Sequence, residues 1–136
     1  MQFTSETYAA LAELKDRIVV LPLGAVEQHG PHLGVGTDTD IVTSLATAAE
    51  LQRPENIILA PTLPYGSSHH HLPFGGTMSL SADLYVQVVI DLVRSLLHGG
   101  FRRIVLLNGH GGNITPVKQA LSLLSKEFDS QFPCYI

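Results

Sequence analysis

The chain has 136 residues, 45% of them hydrophobic, and a net charge of −4 with only 8 Lys and Arg. That describes one domain (1–136) with enough apolar sequence for a single core, and its few, dispersed cations make a nucleic-acid partner unexpected. The single cysteine, Cys134, admits no internal disulfide and fits a reducing cytoplasm; neither a signal peptide nor an eighteen-residue apolar span is visible.

In chain order, residues 4–15 read as a short helix with Ala9, Ala10, Leu11 and Leu14 inward. Ile18 to Leu23 is an unbroken apolar run rich in β-branched residues, the pattern of a strand buried on both faces. Residues 24–37 hold four glycines, one proline and the first two histidines, and form a loop. Thr37 or Asp38 then caps a helix through Leu51, with Ile41, Leu45 and Ala48/Ala49 on its inward stripe. Ile57 to Ala60 is a second strand, interrupted by Pro61 and Pro64. The connection from Leu63 to Leu80 is long for a compact domain, and length of that kind usually serves function.

Ser81 or Asp83 starts the strongest helix, in which Leu84, Val88, Leu92 and Leu96 repeat every four residues until Gly99-Gly100 ends it. Arg103 to Leu107 is a third strand and Asn108 to Gly112 a tight loop. A last helix runs from Asn113 to about Glu127, with Pro116 tolerated in its first turn. Phe132 to Ile136 begins a further strand, so the chain ends with one sheet edge unprotected. This alternation predicts an α/β fold with three α/β/α layers and a mostly parallel sheet. In such a sheet the strand-to-helix loops emerge together at the carboxyl edge, where ligands bind.

The histidines make that edge informative. Six of the seven fall in three loops that each follow a strand: His29 and His32, His69 to His71, and His110. Glu27-Gln-His-Gly-Pro-His32 supplies a carboxylate and an imidazole two residues apart, which face the same way in an extended loop. Asp38 adds a second carboxylate, as an ion bridge, a helix cap or both. Mixed nitrogen and oxygen donors of this kind suit a divalent ion such as Zn²⁺, Mn²⁺ or Fe²⁺. In Asn108-Gly-His-Gly-Gly-Asn113 the glycines let the backbone around His110 approach an ion or substrate closely, while Asn108 and Asn113 can tie the loop by hydrogen bonds. His32 and His71 stand evenly between supporting or substrate contact and loop packing. His69 and His70 read as surface residues, His98 as a partner of its helix dipole, and Cys134 as a buried small hydrophobe. No G-x-S-x-G elbow, P-loop lysine or dinucleotide fingerprint occurs.

Three spaced segments carry a resemblance over essentially the whole chain. They are Leu21 to Leu33 with Asp38, Tyr65-Gly66 with His71 and Phe74-Gly-Gly-Thr77, and Gly100-Phe-Arg-Arg-Ile-Val with Asn108 to Asn113. Together they resemble the creatininase (creatinine amidohydrolase) family. The resemblance implies a creatininase-like α/β enzyme with one or two Zn or Mn ions, hydrolysing a C–N amide bond by a metal-activated water. It implies a small-molecule amide substrate, a cyclic amide or formamide such as creatinine, and a homohexamer. By position, Glu27 and His110 resemble ligands of one ion, His29 a ligand of the second, and Asp38 the bridge.

Two departures from the family pattern bear on activity. Creatininase proper has a glutamate, a ligand of the second metal, where this chain has Gly112. Relatives with the Gly-Gly version carry a carboxylate in a later His-Ala-Gly-x-x-Glu-Thr segment, together with the family's acid/base histidine. That segment is expected to be missing here, with the C-terminal part of the family domain, so no catalytic acid/base residue is assigned. Phe74-Gly75 also replaces the usual Phe-Pro. The alternative expectation is a catalytically silent truncated homologue that binds metal or assembles with a longer relative.

Overall fold

A computed structural model describes residues 1–128 in full and Cys134–Tyr135 as backbone. Four strands, β1 (Ile18–Leu23), β2 (Ile57–Leu59), β3 (Ile104–Asn108) and β4 (Cys134–Tyr135), form one parallel sheet in the order β2-β1-β3-β4. The other residues of the expected last strand, and the side chain of Cys134, lie outside the described residues.

α1 (Tyr8–Ala12) precedes β1, and between the strands run α2 (Thr37–Gln52), α3 (Ala82–His98) and α4 (Ile114–Phe128). Alternation along β1 divides the core. Val19, Leu21 and Leu23 pack with Ile58, Ile104 and Leu106 against α3 and α4, whereas Val20 and Leu59 meet Ala46 of α2 on the opposite face. The expected three layers are therefore present. Pro22 is tolerated in this central strand because its carbonyl takes the amide of Leu63 beyond the end of β2, and its own missing N–H falls on that same side. Among the described residues no helix is long and apolar enough to cross a membrane.

Three local expectations are corrected. Residues 4–15 do not make one helix. Phe3–Ser5 is a 3₁₀ turn, Glu6 is extended, and the Thr7 hydroxyl caps the five-residue α1 by accepting from the amide of Ala10 at 3.2 Å; Ala9 is exposed. The N-cap of α2 is Gly36, so Thr37 and Asp38 both lie inside its first turn.

The inward stripes of α2 and α3 also sit one residue on from their expected positions. In α2, Val42, Ala46 and Glu50 are buried, while Ile41 and Leu45 are more than half exposed. The helix is turned so that Asp38, four residues before Val42, faces the carboxyl edge of the sheet. Glu50 is accommodated inside by pairing with the amino group of Met1. In α3, the stripe Tyr85, Val86, Val89, Ile90, Val93 and Leu97 follows a 3.6-residue period, and the four-residue repeat of leucines drifts off it.

Candidate metal centre

The parallel register brings three loops to one place. Leu23 pairs with Asn108 at the ends of β1 and β3, the amide of Gly109 donates to the carbonyl of Leu23 at 2.8 Å, and the amide of Gly24 donates to the carbonyl of Leu63. Asn113, fully buried, ties the loops together: its amide donates to the Gly24 carbonyl at 3.0 Å and its oxygen accepts from the Ser67 amide at 2.9 Å. Asn108 spans its own turn, donating to the His110 carbonyl at 2.8 Å.

Within this frame Glu27, His29, Asp38 and His110 converge. Glu27 and His110 are each 5% exposed. Asp38 lies between the two histidines, with Oδ1 at 3.1 Å from His29 Nε2 and Oδ2 at 2.9 Å from His110 Nδ1. His110 Nδ1 also stands 3.3 Å from Glu27 Oε1.

The outer nitrogens decide how these rings are protonated. His29 Nδ1 faces the Glu27 carbonyl at 3.1 Å, and His110 Nε2 faces the Ser67 carbonyl at 3.3 Å. A carbonyl only accepts, so His29 Nδ1 carries hydrogen, whereas His110 Nε2 also meets the Ser68 hydroxyl, a group that donates as well as accepts. In the neutral His29 ring the remaining lone pair, on Nε2, points at a carboxylate oxygen of Asp38, and the inner nitrogen of His110 faces both Asp38 and Glu27. An imidazole lone pair facing a carboxylate is repelled unless a cation or a proton lies between them. The Glu27 carbonyl contact, with a further contribution from Asp38, raises the His29 pKa against the opposing effect of burial. The second carboxylate oxygen of Glu27 is buried with no hydrogen-bond partner among the described residues, an arrangement that is costly for a carboxylate left without a cation. Glu27, His29 and Asp38 offer ligand atoms within 4.8 Å of one another and this donor set fits a divalent ion, with His110 beside it, in contact with both carboxylates.

The remaining candidates separate. His71 enters the cluster, with Nε2 at 3.8 Å from Glu27 Oε1 and Nδ1 at 2.8 Å from Gln28 Nε2. His32 is exposed and joins no ligand group among the described residues. His70 is exposed, as expected, yet its ring lies parallel to that of His110 at 6.2 Å, and its nitrogen falls within reach of Glu27 and His71. Ser68 was not singled out in the sequence. It is fully buried and its hydroxyl is 3.1 Å from His110 Nε2; a serine in a polar loop carries no local signal of that contact. A Cβ at Gly112 would collide with the Ser67 carbonyl and His110 Nε2, so this loop conformation admits no side chain there.

The creatinine amidohydrolase (creatininase) family matches residues 1–135. Among curated proteins, the chain is 37% identical over 117 residues to the mycofactocin precursor peptide peptidase of Mycobacterium tuberculosis (strain CDC 1551 / Oshkosh), covering 80% of this chain and 46% of that protein. It is 30% identical over 133 residues to the creatinine amidohydrolase of Pseudomonas putida, covering 93% and 50%. A tryptophan-to-phenylalanine mutant creatininase superposes with a TM-score of 0.90 at 26% identity, covering 99% of this chain and 58% of the other. Solved creatininases include a Zn-Zn and a Mn form. The chain thus spans about half the length of the relatives it matches. The sequence match and the superposition of the fold agree on one assignment: the chain belongs to the creatininase family.

Proposed function

We propose that this chain provides the metal-holding side of an amidohydrolase site, acting on a C–N amide bond in a small cyclic amide or formamide such as creatinine. The observation that carries the proposal is the facing of two carboxylates by two imidazole nitrogens, with Glu27 buried among them. Glu27 and His110 would hold one ion, His29 a second, and Asp38 would serve both. A divalent ion bound there supplies Lewis-acid polarisation of a carbonyl and a lowered pKa for water. The protein's part is to keep the ligand lone pairs aimed through backbone hydrogen bonds at the outer ring nitrogens.

A second reading concerns substrate. The 37% identity to a peptide peptidase favours a peptide bond as the amide cleaved. Hydrolysis of creatinine, formamide and a short peptide by protein loaded with Zn²⁺ or Mn²⁺ separates these readings. Metal content per chain is measured alongside, after dialysis against a weak chelator. Retained metal that is lost in Glu27→Ala and His110→Ala, with turnover lost in parallel, supports the proposal. Turnover unchanged by both substitutions overturns it. Retained metal with no turnover of any amide favours a silent, metal-binding role.

A further inference from the structure

The outer nitrogen of His29 meets a carbonyl, which accepts, whereas that of His71 meets an amide group that donates. The amide of Gly30 donates to Gln28 Oε1 at 3.0 Å. A backbone N–H can only donate, so this contact fixes which way the Gln28 amide faces and leaves its NH₂ group toward His71 Nδ1 at 2.8 Å. The NH₂ group also only donates, so Nδ1 of His71 must accept and the hydrogen of the neutral ring sits on Nε2. That N–H points into the site. It lies 3.8 Å from Glu27 Oε1, too far for a hydrogen bond, and has no other partner among the described residues. The residue is held in place at both ends of its backbone, by its amide to the Ser68 carbonyl at 2.9 Å and by the Thr77 hydroxyl on its carbonyl at 3.3 Å. Its ring packs against those of His70 and Phe74.

We propose that His71 is a substrate-binding residue locked as the Nε2–H tautomer, whose unspent donor takes the carbonyl oxygen of the amide substrate, and that Gln28 is the positioning residue that locks it. The grouping of Glu27, His70 and His71 as a further cation site is disfavoured by the same chemistry, because Nε2 offers a hydrogen and not a lone pair. The choice of amide substrate rests on the function proposed above; the tautomer does not.

The test is a two-bond ¹⁵N–¹H correlation spectrum of the histidines, in chelator-treated and Zn²⁺-loaded protein. The expected result is a protonated Nε2 and an unprotonated Nδ1 for His71 in both states, with the pattern reversed in Gln28→Glu, whose carboxylate accepts from Nδ1–H. A wild-type ring protonated on Nδ1, or an Nε2 that loses its hydrogen on metal loading, overturns the lock. Creatinine and formamide are then added to Zn²⁺-loaded protein. A shift of the His71 Nε2–H resonance, with about tenfold weaker binding in His71→Phe, is expected; a resonance unmoved by both overturns the donor role. These readouts hold whether or not either amide is hydrolysed, so failure of the proposed activity is distinguishable from failure of this assignment.

Discussion

His110 Nε2 lies 3.1 Å from the hydroxyl of the wholly buried Ser68, and the opposite nitrogen of the same ring lies 2.9 Å from Asp38. The serine, with the Ser67 carbonyl, occupies the outer side of the imidazole and keeps the inner nitrogen facing the carboxylates. Support of this kind to a ligating histidine typically changes metal affinity ten- to a hundredfold. Ser68→Ala is therefore expected to weaken Zn²⁺ or Mn²⁺ binding by roughly that factor, measured by competition with a chromophoric chelator. Affinity equal to wild type would show that the Ser67 carbonyl alone suffices.

Gly112 makes a separate prediction. Its α-carbon is closed in by the Ser67 carbonyl and the His110 ring, so any side chain must displace one of them. Gly112→Ala is expected to destabilise the fold by about 1–3 kcal/mol, the usual cost of forcing atoms into a packed region, as read from urea unfolding. Gly112→Glu reproduces the carboxylate of creatininase proper, yet is expected to lower the metal content per chain. A gain of a second ion in Gly112→Glu would refute this account of the loop.

Tyr85 is fully buried on α3, and its hydroxyl has no hydrogen-bond partner among the described residues. Burial alone pushes its pKa up. A buried, unpaired hydroxyl costs about 1–3 kcal/mol, so Tyr85→Phe is expected to raise the urea midpoint without altering metal retention. A lowered midpoint would mean that the hydroxyl has a partner after all.

Arg94 on α3 and Glu127 on α4 form a bidentate pair, with Nε 3.1 Å from Oε1 and Nη2 2.6 Å from Oε2. The arginine's hydrogen bonds hold the Glu127 carboxyl below its ordinary pKa. A depressed carboxylate contributes stability above its unfolded pKa, and that contribution disappears as pH falls through the folded value. Both side chains are solvent-facing, so the effect is small and screened by salt. Glu127→Gln is expected to lower the thermal midpoint slightly at neutral pH and low salt. The difference from wild type should vanish in acid. A difference that persists once Glu127 is protonated would assign the loss to packing.

The strands were the most legible elements. Ile18 to Leu23 is apolar throughout because both faces of a central parallel strand are covered, and the observed β1 has the expected bounds. Helix existence was legible from the glycine and proline boundaries, but helix rotation was not. Ile41 and Leu45 are as apolar as Val42 and Ala46, and it is tertiary packing, of Val42 against Gly109 and of Ala46 against Val20 and Leu59, that selects the latter pair. Ser68 and His70 were missed as neighbours of the site for a related reason. Their contacts to His110 and to Glu27 span some forty residues of sequence, and nothing local to Ser67-Ser68-His69-His70 reports them.

By itself, the sequence determined the chemical inventory: which residue types stand in which loops, that each of those loops follows a strand, and hence that their donors share the carboxyl edge. Side-chain periodicity and backbone restriction act over a few residues, so they are written in the order of the chain. The tertiary structure alone decided protonation and direction. His29 turns a lone pair toward Asp38 and His71 turns a hydrogen inward, because an outer nitrogen of each ring meets a partner of fixed character, the Glu27 carbonyl for His29 and the Gln28 amide group for His71. The inner nitrogen of His110 is aimed by the contacts of its outer nitrogen with Ser67 and Ser68. For His71 and His110 the partners are distant in sequence, and no local pattern can supply them.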